Sequence, residues 1–397
     1  MQFALTGARI FDGETLLPDT AVVVLEGHRI LKLIDRRTPA FAGLKPRQII
    51  ELDGGVLAPG FIDLQVNGGG GALLNKTPTV EGVAAILRGH RQFGTTALLP
   101  TLISDTREVH RAAAAAVIEA AARGLRGVLG LHVEGPCFNP RRHGAHKLEL
   151  LRGLDNDDIE WLTSLSGQDN ENTFKVVVTL APECTAPAAI ARLAAAGIRV
   201  CAGHTDASFA EITCGLEAGV SGFTHLYNAM SSLTAREPGA VCAALTDPDS
   251  WAGIIVDGYH VHPAAVKLAY RAKPEGKLYL VSDAMATVGS RDKTFQLYGE
   301  TIREEQGRLV NAEGVLAGSA IGLMDAVKNC VECVGIPLPQ ALRMASLYPA
   351  QFLRLDHCLG RIKAGYRADL VHFSDSFIVR DTWVAGCRES YVPASND

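Results

Sequence analysis

Glu134, His204, His225 and Asp283 have the side-chain types of a hydrolytic metal centre. Two imidazoles and a carboxylate form the ligand set of a catalytic zinc site, with three protein ligands and one position open to water. Asp283 is expected to stand outside that set as a proton carrier. A carboxyl beside a cation has its pKa lowered and stays ionised at neutral pH. It can then accept a proton from activated water and return it to a leaving group. Each residue taken singly also has a plain structural reading. A lone histidine is usually a satisfied core or surface residue, Glu134 before Gly135-Pro136 could cap a helix, and Asp283 could cap a loop. The four lie far apart in the chain, so they make a centre only if the fold gathers them.

The elements that must gather them alternate short apolar strands with Ala-rich helices. Expected strands are Phe61–Gln65, Thr95–Leu99, Val128–Val133, Lys175–Thr179, Ile198–Ala202, Gly222–His225, Ala252–Val256 and Lys277–Ser282. Helical patterns between them include Val80–Phe93, Arg107–Arg123, Pro187–Ala196, Phe209–Ala218 and Pro263–Arg271. Eight such units imply an α/β fold, a closed (β/α)8 TIM-like barrel. A doubly wound open sheet is the alternative, but no GxGxxG turn follows the first strand, and Gly68–Gly71 reads as a turn. Both chain ends alternate like short strands: Phe3–Ile10, Ala21–Leu25, His28–Leu33 and Gln48–Leu52, then Ala368–Phe373 and Phe377–Val384. We expect residues 1–57 and 358–397 to pair into a small β-sandwich domain, with a catalytic barrel over 58–357 inserted between them.

Barrel enzymes build their sites at the C-terminal ends of the strands. Those ends carry Gln65-Val-Asn67, His132-Val-Glu134, Gly203-His204-Thr-Asp206, Thr224-His225-Leu-Tyr-Asn228, Asp257-Gly-Tyr-His260 and Ser282-Asp283-Ala284. This joint placement favours the metal centre over the separate structural readings. His143 and His146 follow Glu134 in a polar loop, and His260 ends strand seven; all three are candidates for substrate contact. His132 is on the same strand face as Glu134 and is expected behind the ligands. His28, His90, His110, His357 and His372 are read as structural or surface residues, and His262 as part of a helix start. Arg236 is either a salt-bridged loop residue or an anion binder.

Bulk properties exclude other classes. The 397 residues are 47% hydrophobic and 20% charged, with a net charge of −5 and no basic stripe, so no nucleic acid is expected as a partner. No apolar run reaches the roughly 18 residues that span a bilayer, so no membrane partner is expected. The first residues lack the pattern of a signal peptide. Nine scattered cysteines read as reduced thiols of a cytoplasmic protein, and the lone pair Cys330/Cys333 as structural.

The motifs, in order, resemble the amidohydrolase superfamily and, within it, the N-acetylglucosamine-6-phosphate deacetylases. They are Ala58-Pro-Gly-Phe-Ile-Asp63, Leu131-His-Val-Glu-Gly-Pro136, Leu180-Ala-Pro-Glu183, Ala202-Gly-His204, Thr224-His-Leu-Tyr-Asn-Ala-Met230, Arg236-Glu-Pro-Gly239, Asp257-Gly-Tyr-His260, Ser282-Asp-Ala284 and Leu316-Ala-Gly-Ser319. The first is a superfamily motif; the fifth and sixth are far more specific. The resemblance implies that Glu134, His204 and His225 bind a divalent metal and that Asp283 acts as general base, then acid. It implies that His146 polarises an acetamide carbonyl. Ala145, Asn228, Ala229, Arg236, His260, Leu316, Ala317 and Gly318 would contact an amino-sugar phosphate. It further implies a homodimer in which Arg236 serves the neighbouring active site.

Many superfamily members carry His-x-His after strand one and bind a second metal there. Here the positions are Gln65 and Asn67. Neutral amides are weak ligands for transition metals, so one ion per subunit is expected, zinc first, with iron, cobalt and manganese compatible. The competing readings are an amidohydrolase acting on another N-acyl or cyclic amide, and a non-catalytic barrel scaffold.

Overall fold

The structure is a computed structural model that describes residues 2–45, 48–166 and 174–391. Its centre is one sheet of eight parallel strands in sequential order. They are Phe61–Val66, Thr95–Ile103, Gly130–Glu134, Lys175–Leu180, Arg199–Ala202, Val220–Phe223, Trp251–Ile254 and Leu278–Leu280. Side chains along these strands are buried on both faces, as expected where helices cover one face and packed side chains fill the lumen. The sheet closes on itself just beyond strand eight. Asp283 N donates to Gln65 O, and Asn67 N and Gly68 N to Ala284 O, each at 3.0 Å. The seam of the barrel therefore runs through the candidate proton carrier.

The intervening helices start where the sequence offers caps. Thr79 and Thr106 accept from Gly82 and Val109 at the starts of Val80–Arg91 and Arg107–Ala122. Ser208 and Glu211 form a capping box on Phe209–Ala218. The glycine run is a tight hairpin, with Gly68–Gly69 pairing against Ala72–Leu73.

Both chain ends supply two further sheets. One contains Arg29–Asp35, Ala21–Glu26, Gln2–Thr6 and Ile49–Glu51; the other contains Arg9–Ile10, Val56–Pro59, Leu370–Phe373, Val379–Val384 and Cys387–Ser390. Leu5, Val23 and Leu25 of the first share a core with Ile10, Leu57, Leu370 and Trp383 of the second. The single strand expected over Phe3–Ile10 is broken at Gly7, which has φ of +88° and approaches Leu52 O so closely that a Cβ would lie 2.3 Å away. The break sends its two halves to different sheets.

A four-stranded antiparallel sheet, Thr294–Leu297, Glu300–Glu305, Arg308–Val310 and Leu316–Ser319, follows strand eight and was not expected. Its apolar side packs with Leu73, Ile103 and Met285 in a small core of its own. Its last strand brings Leu316–Gly318 to the barrel mouth. Cys330 and Cys333 lie in a π-helical turn, one buried and one exposed.

Candidate metal centre and active site

The strand ends converge as the barrel requires. Glu134, His204 and His225 are 2%, 5% and 4% exposed. The two Nε2 atoms lie 3.1 Å apart. Both face Glu134 Oε1, at 3.4 Å from His204 and 3.1 Å from His225. His204 Nδ1 is 2.9 Å from Arg142 O and must carry the proton as donor to that carbonyl. Neutral His204 therefore has a bare Nε2. A bare imidazole nitrogen, a second imidazole nitrogen and a carboxylate oxygen converge in a buried site, which is unfavourable unless a cation lies between them. Two nitrogens and one oxygen suit a divalent ion such as zinc.

Backbone strain marks the same places. His204, His225, Ala229 and Asp283 have φ of 50°, 32°, 49° and 52°, a region unfavourable for residues with a Cβ. All four lie two to six residues beyond the last residue of a barrel strand. Their conformation is maintained by surrounding bonds such as Ser319 N to Asp283 O at 2.9 Å.

Gln65 and Asn67 act as donors. Gln65 Nε2 bonds Glu134 Oε1 at 3.0 Å and Asp283 Oδ1 at 3.2 Å; Asn67 Nδ2 bonds Asp283 Oδ1 at 2.7 Å. Their amide groups thus turn hydrogen, not lone pairs, toward the carboxylates. Among the protein groups alone, burial and then the charge of Glu134 push the Asp283 carboxyl up to about 6. A cation beside it acts in the opposite sense. Either way the carboxyl titrates below neutrality and is available as a base.

A cavity of about 190 Å³ opens on this centre. Its walls include Asn67, Glu134, Ala145, His146, His204, His225, Asn228, Ala229, His260, Asp283, Leu316 and Gly318. Ala317 lines a neighbouring cavity of about 530 Å³ beside Tyr298, on the other side of the Gly144–His146 wall. Arg236 is exposed and lines neither. His260 Nδ1 is 2.6 Å from Asp257 Oδ2, which fixes the ring by a short charge-assisted bond.

Ligand atoms of His146 lie within 4.8 Å of those of Glu134 and His204, so distance alone would admit His146 as a ligand. Its hydrogen bonds argue otherwise. Ser104 N donates to His146 Nδ1 at 3.3 Å, and Ser104 Oγ is 2.9 Å from the same atom. Nδ1 is thus an acceptor, and Nε2 carries the proton in the neutral ring. Burial and the neighbouring His204 push the His146 pKa well below its usual value, so the ring is neutral.

The expected contact shell omitted Ser104 and Glu183. Strand two runs to Ile103, four residues past its expected end, which makes Ser104 a strand-end residue. Glu183 follows strand four; its oxygens accept from Asn139 Nδ2 at 3.0 Å, Thr205 Oγ1 at 2.6 Å and Asp206 N at 2.8 Å. It was quoted only as part of a motif, although a carboxylate beyond a barrel strand was itself a signal. His132 is behind the centre as expected, with Nε2 2.7 Å from Thr179 Oγ1.

The amidohydrolase family profile matches residues 56–388. This chain is an amidohydrolase. It is 40% identical to an N-acetylgalactosamine-6-phosphate deacetylase of Shewanella sp. (strain ANA-3), over 96% of this chain and 94% of that one. It is 32% identical to an N-acetylglucosamine-6-phosphate deacetylase of Haemophilus influenzae, over 97% and 99%. The crystal structure of N-acetylglucosamine-6-phosphate deacetylase from Pasteurella multocida superposes with a TM-score of 0.92 at 33% identity, covering 98% of this amidohydrolase and all of that chain. No helix among the described residues is long and apolar enough to cross a membrane.

Proposed function

We propose that this amidohydrolase removes the acetyl group of N-acetylglucosamine 6-phosphate, releasing acetate and glucosamine 6-phosphate. The observation that carries the reading is one small cavity walled by a buried Glu/His/His cluster, an acidic base and a neutral imidazole donor. Glu134, His204 and His225 would hold one divalent ion, zinc in the first instance. Such an ion supplies Lewis acidity to a carbonyl and lowers the pKa of water. Asp283 takes the proton of the attacking water, aligned by its two amide donors. His146 donates from Nε2 to the developing oxyanion, an electrostatic contribution that is often the largest in acyl transfer. Asp283 then gives its proton to the departing amine. Ala145, Asn228, Ala229, His260, Leu316 and Gly318 surround the sugar. Arg236, exposed and outside its own cavity, is suited to a phosphate in the site of a second subunit of a homodimer. The catalytic barrel over 58–357 would be carried by a β unit of 1–57 and 358–397, in the cytoplasm.

The 40% identical relative favours a second reading, in which the galacto epimer is the better substrate. Acetate release from the gluco and galacto 6-phosphates and their unphosphorylated forms, with metal content measured on the same sample, tests both. We expect turnover of a 6-phosphate with one metal equivalent per chain. Equal turnover without the phosphate refutes the phosphate reading, and two equivalents at full activity refute the single ion. Faster turnover of the galacto compound selects the second reading.

A further inference from the structure

We propose that Ser104 is the positioning residue that makes His146 a hydrogen-bond donor, and that Tyr298 of the inserted sheet holds Ser104 in place. The inference rests on the reading of His146 as the group that meets the acyl oxygen. A neutral imidazole has one protonated nitrogen and one bare nitrogen, and the partner of one decides the state of the other. Ser104 N–H points at His146 Nδ1 from 3.3 Å. Were Nδ1 protonated, two N–H groups would face each other in a buried site. The peptide therefore selects the tautomer with hydrogen on Nε2, the nitrogen left to face the cavity.

With Nδ1 left bare by that N–H, the Ser104 hydroxyl 2.9 Å away donates to the same atom. Ser104 is fully buried. Its side chain has room only because residue 135 is glycine: a Cβ there would lie 2.3 Å from Ser104 Oγ. Tyr298 OH donates to Ser104 O at 2.6 Å, so the carbonyl side of the same residue is held by the sheet that also delivers Leu316 and Gly318. The inserted sheet thus reaches the chemistry through one residue, Ser104. It shapes the cavity wall and orients the donor opposite the metal ligands.

The test is 15N NMR of the His146 ring in the zinc-loaded protein, with steady-state kinetics of Ser104→Ala, Ser104→Thr and His146→Asn. The expected spectrum is that of the Nε2–H tautomer. Ser104→Ala should keep its zinc and lower kcat about 10–100-fold with KM little changed, the usual cost of losing an outer-shell partner. Ser104→Thr, which keeps the hydroxyl, should restore most of kcat. An Nδ1–H signal in the wild-type protein overturns the proposal whether or not the alanine variant folds. Wild-type kcat in Ser104→Ala with a dead His146→Asn overturns it at Ser104. Wild-type kcat in His146→Asn overturns it at its premise, the role of His146.

Discussion

Replacing Glu183 by Gln tests how the barrel holds His204. Glu183 clamps two loops around that residue: it accepts from Asn139 on one loop and from Thr205 and Asp206 on the other. His204 is tied to the first loop at both ends, by Asn139 N to its carbonyl at 2.9 Å and by its Nδ1 to Arg142 O at 2.9 Å. Arg142 Nε in turn bonds Asp206 Oδ1 at 2.8 Å. A glutamine can keep only one of the two acceptor positions. With its oxygen toward Asn139 and Asp206, its amide faces Thr205 Oγ1, a fully buried hydroxyl that already accepts from Ala207 N at 3.1 Å. The hydroxyl proton is then left without a partner. The loss is one charge-assisted bond, about 1.5–3 kcal/mol. Part of it should appear as freedom of His204, weakening metal binding about 10–100-fold. Chelator competition for zinc measures this directly, with thermal unfolding and kcat at saturating zinc on the same variant. The expected result is weaker binding with kcat largely recovered in excess zinc. A lowered Tm with an unchanged zinc affinity would refute the reasoning and leave Glu183 as a loop staple.

Asp283→Asn should lower kcat by about 10²–10⁴ with little change in KM, since a positioned base contributes on that order; steady-state kinetics check it, and near-normal turnover excludes the acid/base role. Gly203→Ala would put a Cβ 2.6 Å from Thr179 Cγ2 and 3.1 Å from Thr224 Cβ, immediately before His204. Overpacking of this kind costs about 1–3 kcal/mol, to be read by denaturant unfolding, with zinc affinity falling in parallel. His90 is fully buried, its Nε2 bonds Gly68 O at 2.9 Å, and burial lowers its pKa from 6.5 to about 4. A base with a depressed folded pKa contributes stability that is full above 6.5 and is lost as pH falls through 4. Wild type should therefore lose up to about 1.4 kcal/mol per pH unit across that window relative to His90→Gln. Parallel pH–stability curves for the two proteins would contradict this.

The eight barrel strands and most flanking helices were legible because periodicity and caps are local signals. Thr79, Thr106 and Ser208 mark helix starts without help from the rest of the chain. The inserted sheet was not legible: Glu300–Glu305 reads as a polar run, and only contacts with Leu73, Ile103 and Met285 give its few apolar residues a core. Gly7 was read within one strand because nothing local announces that Leu52 O approaches it. The types Glu134, His204, His225 and Asp283, and their positions after strands, pointed to one shared site, and the fold gathers all four around one cavity. Hydrogen-bond direction was decided by the tertiary structure alone. Gln65 and Asn67 looked like residues of a missing metal site; in the fold their amide hydrogens orient Asp283 and Glu134. His146 and His225 are equally good ligands by composition, and only the Ser104 peptide, folded against Nδ1, distinguishes a donor from a ligand. Residue type and spacing determine which atoms a chain can bring to a site. Which of those atoms carries the hydrogen depends on neighbours far away in sequence, so that property first exists in the folded barrel.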